Sequence, residues 1–459
     1  MRIGVIGGGV AGLAAADELL RRGHEVLLFE YAPQVGGQLR TMDIHGARLE
    51  QFYHHIFTND TLMIETIREL GLEDRLQWVA SKVGFFANGK IWDFVTPQDL
   101  LRFQPLPLID RLRLGIASLY LQRQPDWRKF ESVTAEAWLK KWVGKHSYDV
   151  IWGPLLYGKF GDAAPEVSMT WFHWKMRLRF GSRRGLRQEF LGYLVGSFAQ
   201  VWEAYGQRIR QRGGKLFTSA QVERIVVQQG KAIGLRARIA EEAGKQAVQE
   251  GYAEGQDGAL FFLLDRVIAT IPSPVVMRLA PELPENYTKI LIGNRYQAVM
   301  CLIMVLKHPI SSIYWLNITD RSIPFVALIE QTNLISPDHY GGRHVAYISN
   351  YIDRTAPLYQ QSDDEVLETY IPHLQKINPD FQRDWIEEWH LFREDAAQPI
   401  ITTNYSQKIP SIATPVGNLF MANNSQVYPE DRGQNYSLRI GREAARLAAQ
   451  EADQQAAQS

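Results

Sequence analysis

Residues 3–41 read IGVIGGGVAGLAAADELLRRGHEVLLFEYAPQVGGQLRT and decide the fold of this 459-residue chain. The apolar run at 3–6 predicts a buried parallel strand. Three glycines follow it in the spacing Gly7-x-Gly9-x-x-Gly12. Such glycines permit a tight turn, let a pyrophosphate approach the backbone, and let the next helix pack closely on the strand. The stretch therefore predicts a dinucleotide-binding fold.

The segment after these glycines supplies the other elements of such a fold. Residues 11–22 are rich in alanine and leucine and predict a helix that stops at Gly23, with its N-terminal amides facing the diphosphate. A second apolar strand at 26–29 ends at Glu30. A carboxylate there accepts hydrogen bonds from the adenosine ribose hydroxyls and disfavours a 2′-phosphate. This order of elements argues against a glycine-rich turn without chemical meaning.

A second glycine pair, Gly36-Gly37, favours FAD over NAD as the dinucleotide. Backbone without side chains can lie beside the pyrophosphate and ribitol at this point, and Arg40 adds positive charge. The sequence therefore predicts bound FAD. The cofactor-binding residues predicted in this stretch are Gly7, Gly9, Val10, Ala11, Gly12, Glu30, Gly36, Gly37, Gln38, Leu39, Arg40 and Thr41.

The composition favours a large enzyme that acts on a small molecule. The formal net charge is zero, so no global field attracts nucleic acid. Cys301 is the only cysteine, which excludes an intrachain disulfide framework and cysteine metal clusters and favours the cytoplasm. We find no uncharged run long enough to span a bilayer. We expect a small-molecule substrate, anionic or apolar, no nucleic acid and no metal, and the oligomeric state stays open.

The remaining chain predicts a discontinuous domain. An Asn88-Gly89 hairpin precedes a mostly helical region, and the order of strands and helices then alternates to the end. The predicted fold class is α/β, with a Rossmann-like FAD-binding domain, an inserted mixed-sheet substrate domain and a helical subdomain. Individual elements include an amphipathic helix at 188–212, a surface loop or hairpin at 241–258, strands at 296–352 and a last helix at 437–452. The predicted boundaries are 1–82, 188–271 and 396–459 for the FAD-binding domain, 83–96 and 272–395 for the substrate domain, and 97–187 for the helical subdomain.

This order resembles the FAD-dependent superfamily of amine oxidases, protoporphyrinogen oxidases and phytoene desaturases over nearly the whole chain. The N-terminal glycines and Glu30 match its motif, and the stretch 414–445 matches its C-terminal layout. The resemblance implies a polar pair near the ribitol, a last helix whose dipole faces the flavin, and a backbone clamp on adenine. The further cofactor residues it implies are Val222, Asn423, Asn424, Gly433, Gln434, Asn435 and Tyr436.

Three positions differ from the family pattern and disfavour an amine as substrate. Gln38 stands where a basic residue is usual, and Asn424 where an acidic one is frequent. Met300 falls near the place of a lysine that amine oxidases use beside the flavin. The segment 53–60 is also similar to the His-Ile-Phe segment of UDP-galactopyranose mutases, which use FAD without net redox change.

Four side chains are predicted to act beside the flavin. His54 and His55 follow the glycine pair by a short strand and suit proton transfer near neutral pH, or else one of them is a buried histidine bonded to backbone. Tyr405 and Tyr436, together with Tyr428, are predicted to wall the substrate cavity. Trp315 and Tyr351 are further candidates, and the polar run 428–436 is predicted to meet the flavin.

Two surface patterns keep two interpretations each. The basic run Lys175, Arg177, Arg179, Arg183, Arg184 and Arg187 either binds an anionic substrate or forms a solvated, ion-paired face. The apolar helical stripe Leu108, Ile109, Leu112, Ile116, Leu119 and Tyr120 either lies on a membrane surface or packs on its own domain. Peripheral contact with the inner membrane face therefore stays open.

Three functions remain open at this stage. The first is an FAD-dependent oxidoreductase that removes a hydride from an organic substrate and passes electrons to oxygen or another acceptor. The second is a redox-neutral flavoenzyme acting on a nucleotide sugar. The third is a catalytically silent FAD-binding protein. No second GxGxxG motif is found for a pyridine nucleotide, so we do not expect tightly bound NAD(P)H.

Overall fold

The computed structural model describes residues 1–184 and 188–456. Its first layer is a five-stranded parallel sheet built from widely separated parts of the chain. Because β-strands that follow one another through helices cross over on the sheet faces, this sheet is covered on both sides. The strands lie side by side in the order Lys215–Phe217, Glu25–Phe29, Arg2–Ile6, Arg266–Ala269 and Leu419–Met421.

A seven-stranded mixed sheet forms the second large layer. One face packs on the helix Asp363–Ile377 through an apolar core, and the other face borders a large cavity. The pair Trp315–Ile318 and Val83–Ala87 is parallel. The seven strands are, in spatial order, Ile386–Pro399, Tyr296–Leu306, His344–Ile352, Ala327–Glu330, Trp315–Ile318, Val83–Ala87 and Lys90–Asp93.

Three smaller sheets complete the strand inventory. One contains Gln221–Gln228, Lys231–Arg238, Leu260–Leu263 and Ala253–Glu254 and packs on the parallel sheet. Another contains Ile56–Phe57, Gln188–Leu194 and Leu76–Ala80, with Arg183–Arg184 paired to the middle strand. The last is the hairpin of Thr41–Ile44 and Ala47–Glu50.

The helices cover the sheets and form a helical region between 97 and 184. The helices of that region are Pro97–Arg102, Leu108–Arg123, Ala135–Trp142, Lys145–Ser147, Gly153–Phe160 and Met169–Gly181, with a π-turn at Tyr148–Trp152. The other helices are Val10–Arg21, Thr61–Glu69, Ala199–Gln211, Glu241–Gln249, Ser273–Leu279, Glu285–Gly293, Pro357–Gln360, Asp363–Ile377 and Gln434–Ala456. Over the two described ranges, no helix is both long and apolar enough to cross a membrane. The predicted domain boundaries stay a prediction.

One predicted element is wrong, and another is wrong in its first half. The amphipathic helix at 188–212 is a strand, Gln188–Leu194, followed by a helix, Ala199–Gln211. The first half pairs as a strand between Ile56–Phe57 and Leu76–Ala80, and tertiary pairing overrides its helical periodicity. Between the two halves, the buried Glu50 carboxylate accepts the backbone N–H of Phe198 at 2.7 Å. The surface loop or hairpin predicted at 241–258 contains the helix Glu241–Gln249 in its first half. In its second half the hairpin is confirmed, because Ala253–Glu254 pairs antiparallel with Leu260–Leu263.

The apolar stripe on the helix Leu108–Arg123 is largely exposed, and of its six residues Tyr120 stacks on Trp138 with ring centroids 6.4 Å apart. Its six large apolar side chains are between 42% and 70% exposed, whereas Leu114, Ala117 and Leu121 form the buried face. The interpretation as a packed helix is therefore wrong for most of the stripe, which faces outward.

The last helix, Gln434–Ala456, lies against the first helix so closely that only glycine fits at the crossing. A Cβ atom on Gly441 would lie 2.1 Å from the carbonyl oxygen of Ala11. Gly441 and Ala11 both lie within helices, so the clash could be relieved only by shifting one helix against the other. The contact fixes where the N-terminus of the last helix arrives.

We expect Gly441→Ala to lower the free energy of unfolding by about 1–3 kcal/mol, because the added methyl group must push the two helices apart. Urea unfolding measures the change. Gly115→Ala is the matched control, since a Cβ atom there meets only Leu100 at an ordinary 3.6 Å. That control should raise the free energy by about 0.5–1 kcal/mol. Equal effects of the two substitutions would contradict the packing argument.

Candidate active site

A cavity of about 1040 Å³ joins the parallel sheet to the mixed sheet. This volume lies at the upper end of the range for small-molecule sites. We call the part near Gly9, Glu30 and Gly37 the glycine end, and the part near Lys159 and Tyr351 the cationic end. The glycine end lies at the carboxyl edge of the parallel strands, where such folds bind ligands.

At the glycine end, two stretches of bare backbone meet. Gly9 and Gly36 form an isolated parallel bridge, and the N–H of Gly36 donates to the carbonyl oxygen of Gly8 at 2.8 Å. A Cβ atom on Gly37 would lie 3.1 Å from the Cα of Gly9. Gly37 also has a φ of 60°, so a side chain is disfavoured there, and main-chain groups border the cavity, as close approach of a pyrophosphate requires.

Glu30 is held in one orientation at this end. Its two carboxylate oxygens accept backbone N–H groups of Gly8 at 2.6 Å and Ala32 at 2.8 Å. The side chain is buried and borders the cavity. A carboxylate fixed in this way suits the two adjacent hydroxyls of a ribose.

The N-terminus of the last helix closes the middle of the cavity. Gly433 and Gln434 border it, and both amide atoms of the buried Gln434 side chain have no hydrogen-bond partner within 1–184 and 188–456. Buried polar atoms normally have hydrogen-bond partners, so the unpaired Gln434 amide indicates a polar ligand group at this place. The adjacent helix N-terminus would stabilise negative charge on that group. The carboxylate, the bare backbone and this amide together fit the parts of FAD.

Most of the predicted site residues border this one cavity. Those that do are Gly7, Gly9, Val10, Ala11, Glu30, Gly36, Gly37, Gln38, Leu39, Arg40, His54, His55, Val222, Asn423, Asn424, Gly433, Gln434 and Tyr436. Asn423 uses its amide within the protein, since it accepts from Ser425 and donates to the carbonyl oxygen of Ile271. Its predicted contact with the ribitol stays a prediction.

Three predicted cofactor residues lie outside the cavity. Gly12 is a packing position, because a Cβ atom there would lie 1.8 Å from the carbonyl oxygen of Gly7. Thr41 turns its hydroxyl to Arg48, which donates to it at 3.2 Å. Asn435 accepts the backbone N–H of Met63 at 3.1 Å and ties the last helix to the helix Thr61–Glu69. Both side chains are bonded within the protein, and the predicted cofactor binding by Thr41 and Asn435 stays a prediction.

Two predictions for the substrate wall are wrong. Tyr405 is buried in the core of the helical region and donates to the carbonyl oxygen of Ser425 at 2.8 Å, and Tyr428 donates to Glu131 at 3.1 Å.

Met300 packs in the core against the helix Asp363–Ile377. Alternate residues of a strand point to opposite faces, so its neighbour Val299 borders the cavity instead.

The two histidines border the cavity in a neutral state. His54 donates from Nδ1 to the carbonyl oxygen of Phe52 at 2.6 Å, and His55 Nδ1 lies 3.0 Å from the Tyr314 hydroxyl. Burial lowers the pKa of His54 to about 4, and burial with nearby Arg179 and Lys175 lowers the pKa of His55. Proton transfer was predicted because an ordinary histidine titrates near neutral pH. The lowered pKa values of His54 and His55 remove that reason.

The cationic end is organised around a buried carboxylate. Asp431 accepts from Trp171 Nε1 at 2.9 Å, Lys175 Nζ at 3.0 Å and Gln398 Nε2 at 3.1 Å. Burial opposes its ionisation, but Lys175, Lys159 and Arg432 hold the pKa of Asp431 well below its usual range. The carboxylate therefore stays charged and positions the cations around it.

Other cations complete this end. Arg432 donates to the Tyr351 hydroxyl at 2.9 Å and to Gln398 at 3.0 Å. Arg179 and Arg183 border the cavity, and Arg183 Nε is buried with no partner in the described ranges.

The predicted basic run therefore has two kinds of member. Lys175, like Arg179 and Arg183, borders the cavity, whereas Arg177 donates to the carbonyl oxygen of Gln124 at 2.7 Å. Arg184 lies in the short strand Arg183–Arg184, and Arg187 falls outside the described residues.

The sequence did not predict Lys159, which comes from the helix Gly153–Phe160 and borders the cavity. A single lysine in a short helix carries no motif. Its position over the Tyr351 ring, with Nζ 4.5 Å from the ring centroid, arises only when the helical region packs on the mixed sheet.

Curated proteins match parts of this chain. The mitochondrial protoporphyrinogen oxidase of Nicotiana tabacum is 29% identical over 195 residues, which are 39% of this chain and 37% of that protein. The chain spans less than half the length of the curated relatives it matches.

Solved structures share the fold over nearly the whole chain. An oxidoreductase from Methanosarcina mazei superposes with a TM-score of 0.70 at 17% identity, over 97% of this chain and 99% of that one. Reduced UDP-galactopyranose mutase superposes with a TM-score of 0.73 at 15% identity, over 98% and 96%. The family model described as flavin containing amine oxidoreductase matches residues 10–447. The chain therefore belongs to the flavin containing amine oxidoreductase family.

Proposed function

We propose that this enzyme removes a hydride from an organic substrate bearing a carboxylate or phosphate group and passes the electrons to oxygen or another acceptor. The observation that carries the proposal is the charge of the cavity opposite the glycine end. Among the residues that the structure describes, five cationic side chains border it there. Lys175 is paired with Asp431, and Arg179 lies 4.0 Å from Glu189. These five are Lys159, Lys175, Arg179, Arg183 and Arg432.

The protein supplies binding, orientation and a dry environment for this reaction. Glu30 would hold the ribose of FAD, the bare backbone at Gly9 and Gly37 would bind its pyrophosphate, and the Gln434 amide would bind a polar group of its ring system. FAD bound in this way would supply the hydride acceptor. The N-terminal dipole of the last helix favours negative charge in its neighbourhood.

Apolar and aromatic walls enclose the substrate part. Trp152, Phe172 and Trp315 border the cavity beside the cations. An aromatic or otherwise apolar body with an acidic group matches this combination, since guanidinium groups bind planar acids through two hydrogen bonds and rings pack on rings. A small neutral amine would leave the cations without partners.

The same cations fit the diphosphate of a nucleotide sugar, which supports a second candidate, the redox-neutral flavoenzyme. The two candidates differ in the flavin state that they need. An oxidase starts from oxidised FAD, whereas the redox-neutral enzyme is active only after the flavin has been reduced.

We expect anaerobic mixing with carboxylated or phosphorylated reductants to bleach the flavin absorbance, and neutral amines of similar size to leave it unchanged. The second arm gives nucleotide sugars to the enzyme with and without dithionite. Turnover confined to the dithionite sample would replace the oxidase proposal by the redox-neutral one. Bleaching by neutral amines alone would contradict the anionic substrate.

We expect Arg179→Gln and Arg183→Gln each to raise KM for an anionic substrate about tenfold or more with a smaller effect on kcat, because each removes a charge-assisted hydrogen bond. Steady-state kinetics measure the split. Arg177→Gln is the matched control on the helix Met169–Gly181, since this arginine binds a backbone carbonyl instead. A KM unchanged in both cavity variants would show that the arginines do not bind substrate.

We also propose that the exposed apolar stripe of the helix Leu108–Arg123 rests on an anionic lipid surface. Arg111, Arg113 and Arg123 lie on the same helix, and its one acidic residue, Asp110, is buried. An apolar face with basic neighbours is the composition of an interfacial helix. Anionic headgroups complement these arginines.

We expect the protein to float with vesicles of anionic lipid at low salt, and the double variant Ile109→Glu, Ile116→Glu to stay behind. Ile292→Glu is the control, because this side chain is 65% exposed but lies on a different helix. No flotation of the unmodified protein, or equal loss in the control, would contradict membrane contact.

A further inference from the structure

We propose that Tyr351 is a catalytic residue that takes a proton from the substrate through its phenolic oxygen, prepared for this by Lys159 and Arg432. The inference rests on the proposed oxidation and names a residue that performs part of it. It starts from a feature that binding alone does not explain: two cations converge on one cavity-facing tyrosine.

The geometry around Tyr351 leaves its oxygen well supplied with donors. Arg432 donates to it at 2.9 Å, and the Tyr53 hydroxyl lies 3.4 Å away. Tyr53 is itself 2.9 Å from the Ser349 hydroxyl. Lys159 Nζ lies over the ring, and no hydrogen bond or ion pair holds this amine elsewhere in the described part of the chain.

Titratable groups from three elements face the Tyr351 ring and oxygen. Lys159 comes from the helix Gly153–Phe160, Arg432 and Asp431 from the loop before the last helix, and Tyr53 from the segment after Glu50. Burial alone favours the neutral phenol. Lys159, Arg432 and the hydrogen bond with Tyr53 outweigh both burial and Asp431 and lower the pKa of Tyr351 to about 8.

The neighbouring groups are poorer proton acceptors at the cavity wall. Burial, together with Tyr351, raises the pKa of Tyr53, so that Tyr53 remains a phenol. His54, with a pKa of about 4, holds a proton too weakly to compete near neutral pH. Tyr351 is thus the hydroxyl of the pair that ionises.

The proton step balances the proposed oxidation. Bound FAD would accept the hydride that leaves the substrate carbon. The adjacent O–H or N–H bond breaks at the same time, and its electron pair forms the new C=O or C=N bond. The proton from that group moves to the Tyr351 oxygen. Solvent takes the proton from Tyr351 before the next turnover, so the residue ends each cycle as it began.

The first experiment needs no substrate. The tyrosinate absorbance of the FAD-loaded enzyme is titrated against pH, and the Tyr351→Phe curve is subtracted. We expect one tyrosine that ionises near pH 8, below the ordinary value of about 10. Lys159→Met should move this step upward, and Lys159→Arg should restore it.

Tyr157→Phe is the matched control, an exposed tyrosine on the same helix as Lys159 that must leave the step in place. Bound flavin and the unfolding midpoint report whether each variant is folded. A difference curve without a step below the ordinary range overturns the proposal.

The second experiment measures anaerobic flavin reduction against pH. The wild-type rate should rise through the same midpoint, because the ionised oxygen is the acceptor. Tyr351→Phe should lose about 100-fold and become independent of pH in this range. If Lys159→Met abolishes reduction while the Tyr351 step persists, the amine is the acceptor and the proposal fails. If no substrate bleaches the flavin, the proposed function fails, and the titration still decides whether Tyr351 is ionised.

Discussion

The contact between the two glycine clusters is the constraint on which the rest of the molecule depends. The two backbones meet so closely that a Cβ atom on Gly37 would lie 3.1 Å from the Cα of Gly9, and this contact fixes the carboxyl edge of the parallel sheet. Glu30 is oriented by backbone N–H groups of the same turn. The last helix then crosses the first at Gly441, which brings its N-terminus to the same cavity. Elements more than 400 residues apart therefore converge without a side-chain motif that spans them.

Charge balance at the opposite end is the second constraint. A buried carboxylate is costly unless it is paired, and removing one partner of such a pair typically costs about 3–5 kcal/mol. Asp431 meets a lysine, an indole N–H and an amide N–H, so its burial is compensated. Arg179 lies 4.0 Å from the buried Glu189 carboxylate, whereas Lys159 borders the cavity without a carboxylate partner among the described residues. Such clusters of perturbed groups in a cavity are characteristic of functional sites.

The parts of the site that could be predicted are those that depend on local backbone. Gly7 and Gly36 adopt φ angles of 101° and 117°, which glycine alone adopts at little cost, so their spacing can be recognised in the sequence. The direction in which a side chain points depends instead on which distant segments pack against it. Thr41 follows the motif directly yet turns away from the cavity, since the hairpin with Ala47–Glu50 sets its orientation. Likewise, the strand Gln188–Leu194 carries helical periodicity and becomes a strand only because two neighbours pair with it.

Lys159 and the histidines show a different limit, because their chemistry is decided by surroundings rather than by residue type. Histidine near a flavin suggests proton transfer, but desolvation makes both His54 and His55 weak bases. Tyrosine ordinarily suggests a wall, but two cations give Tyr351 an acidity that its sequence neighbours do not reveal. Met300 points into the core from its strand. Lys159 borders the cavity and comes from the helix Gly153–Phe160. Because function resides in the site rather than in the fold, a chain can keep the family's cofactor contacts and take its reactive groups from a different element.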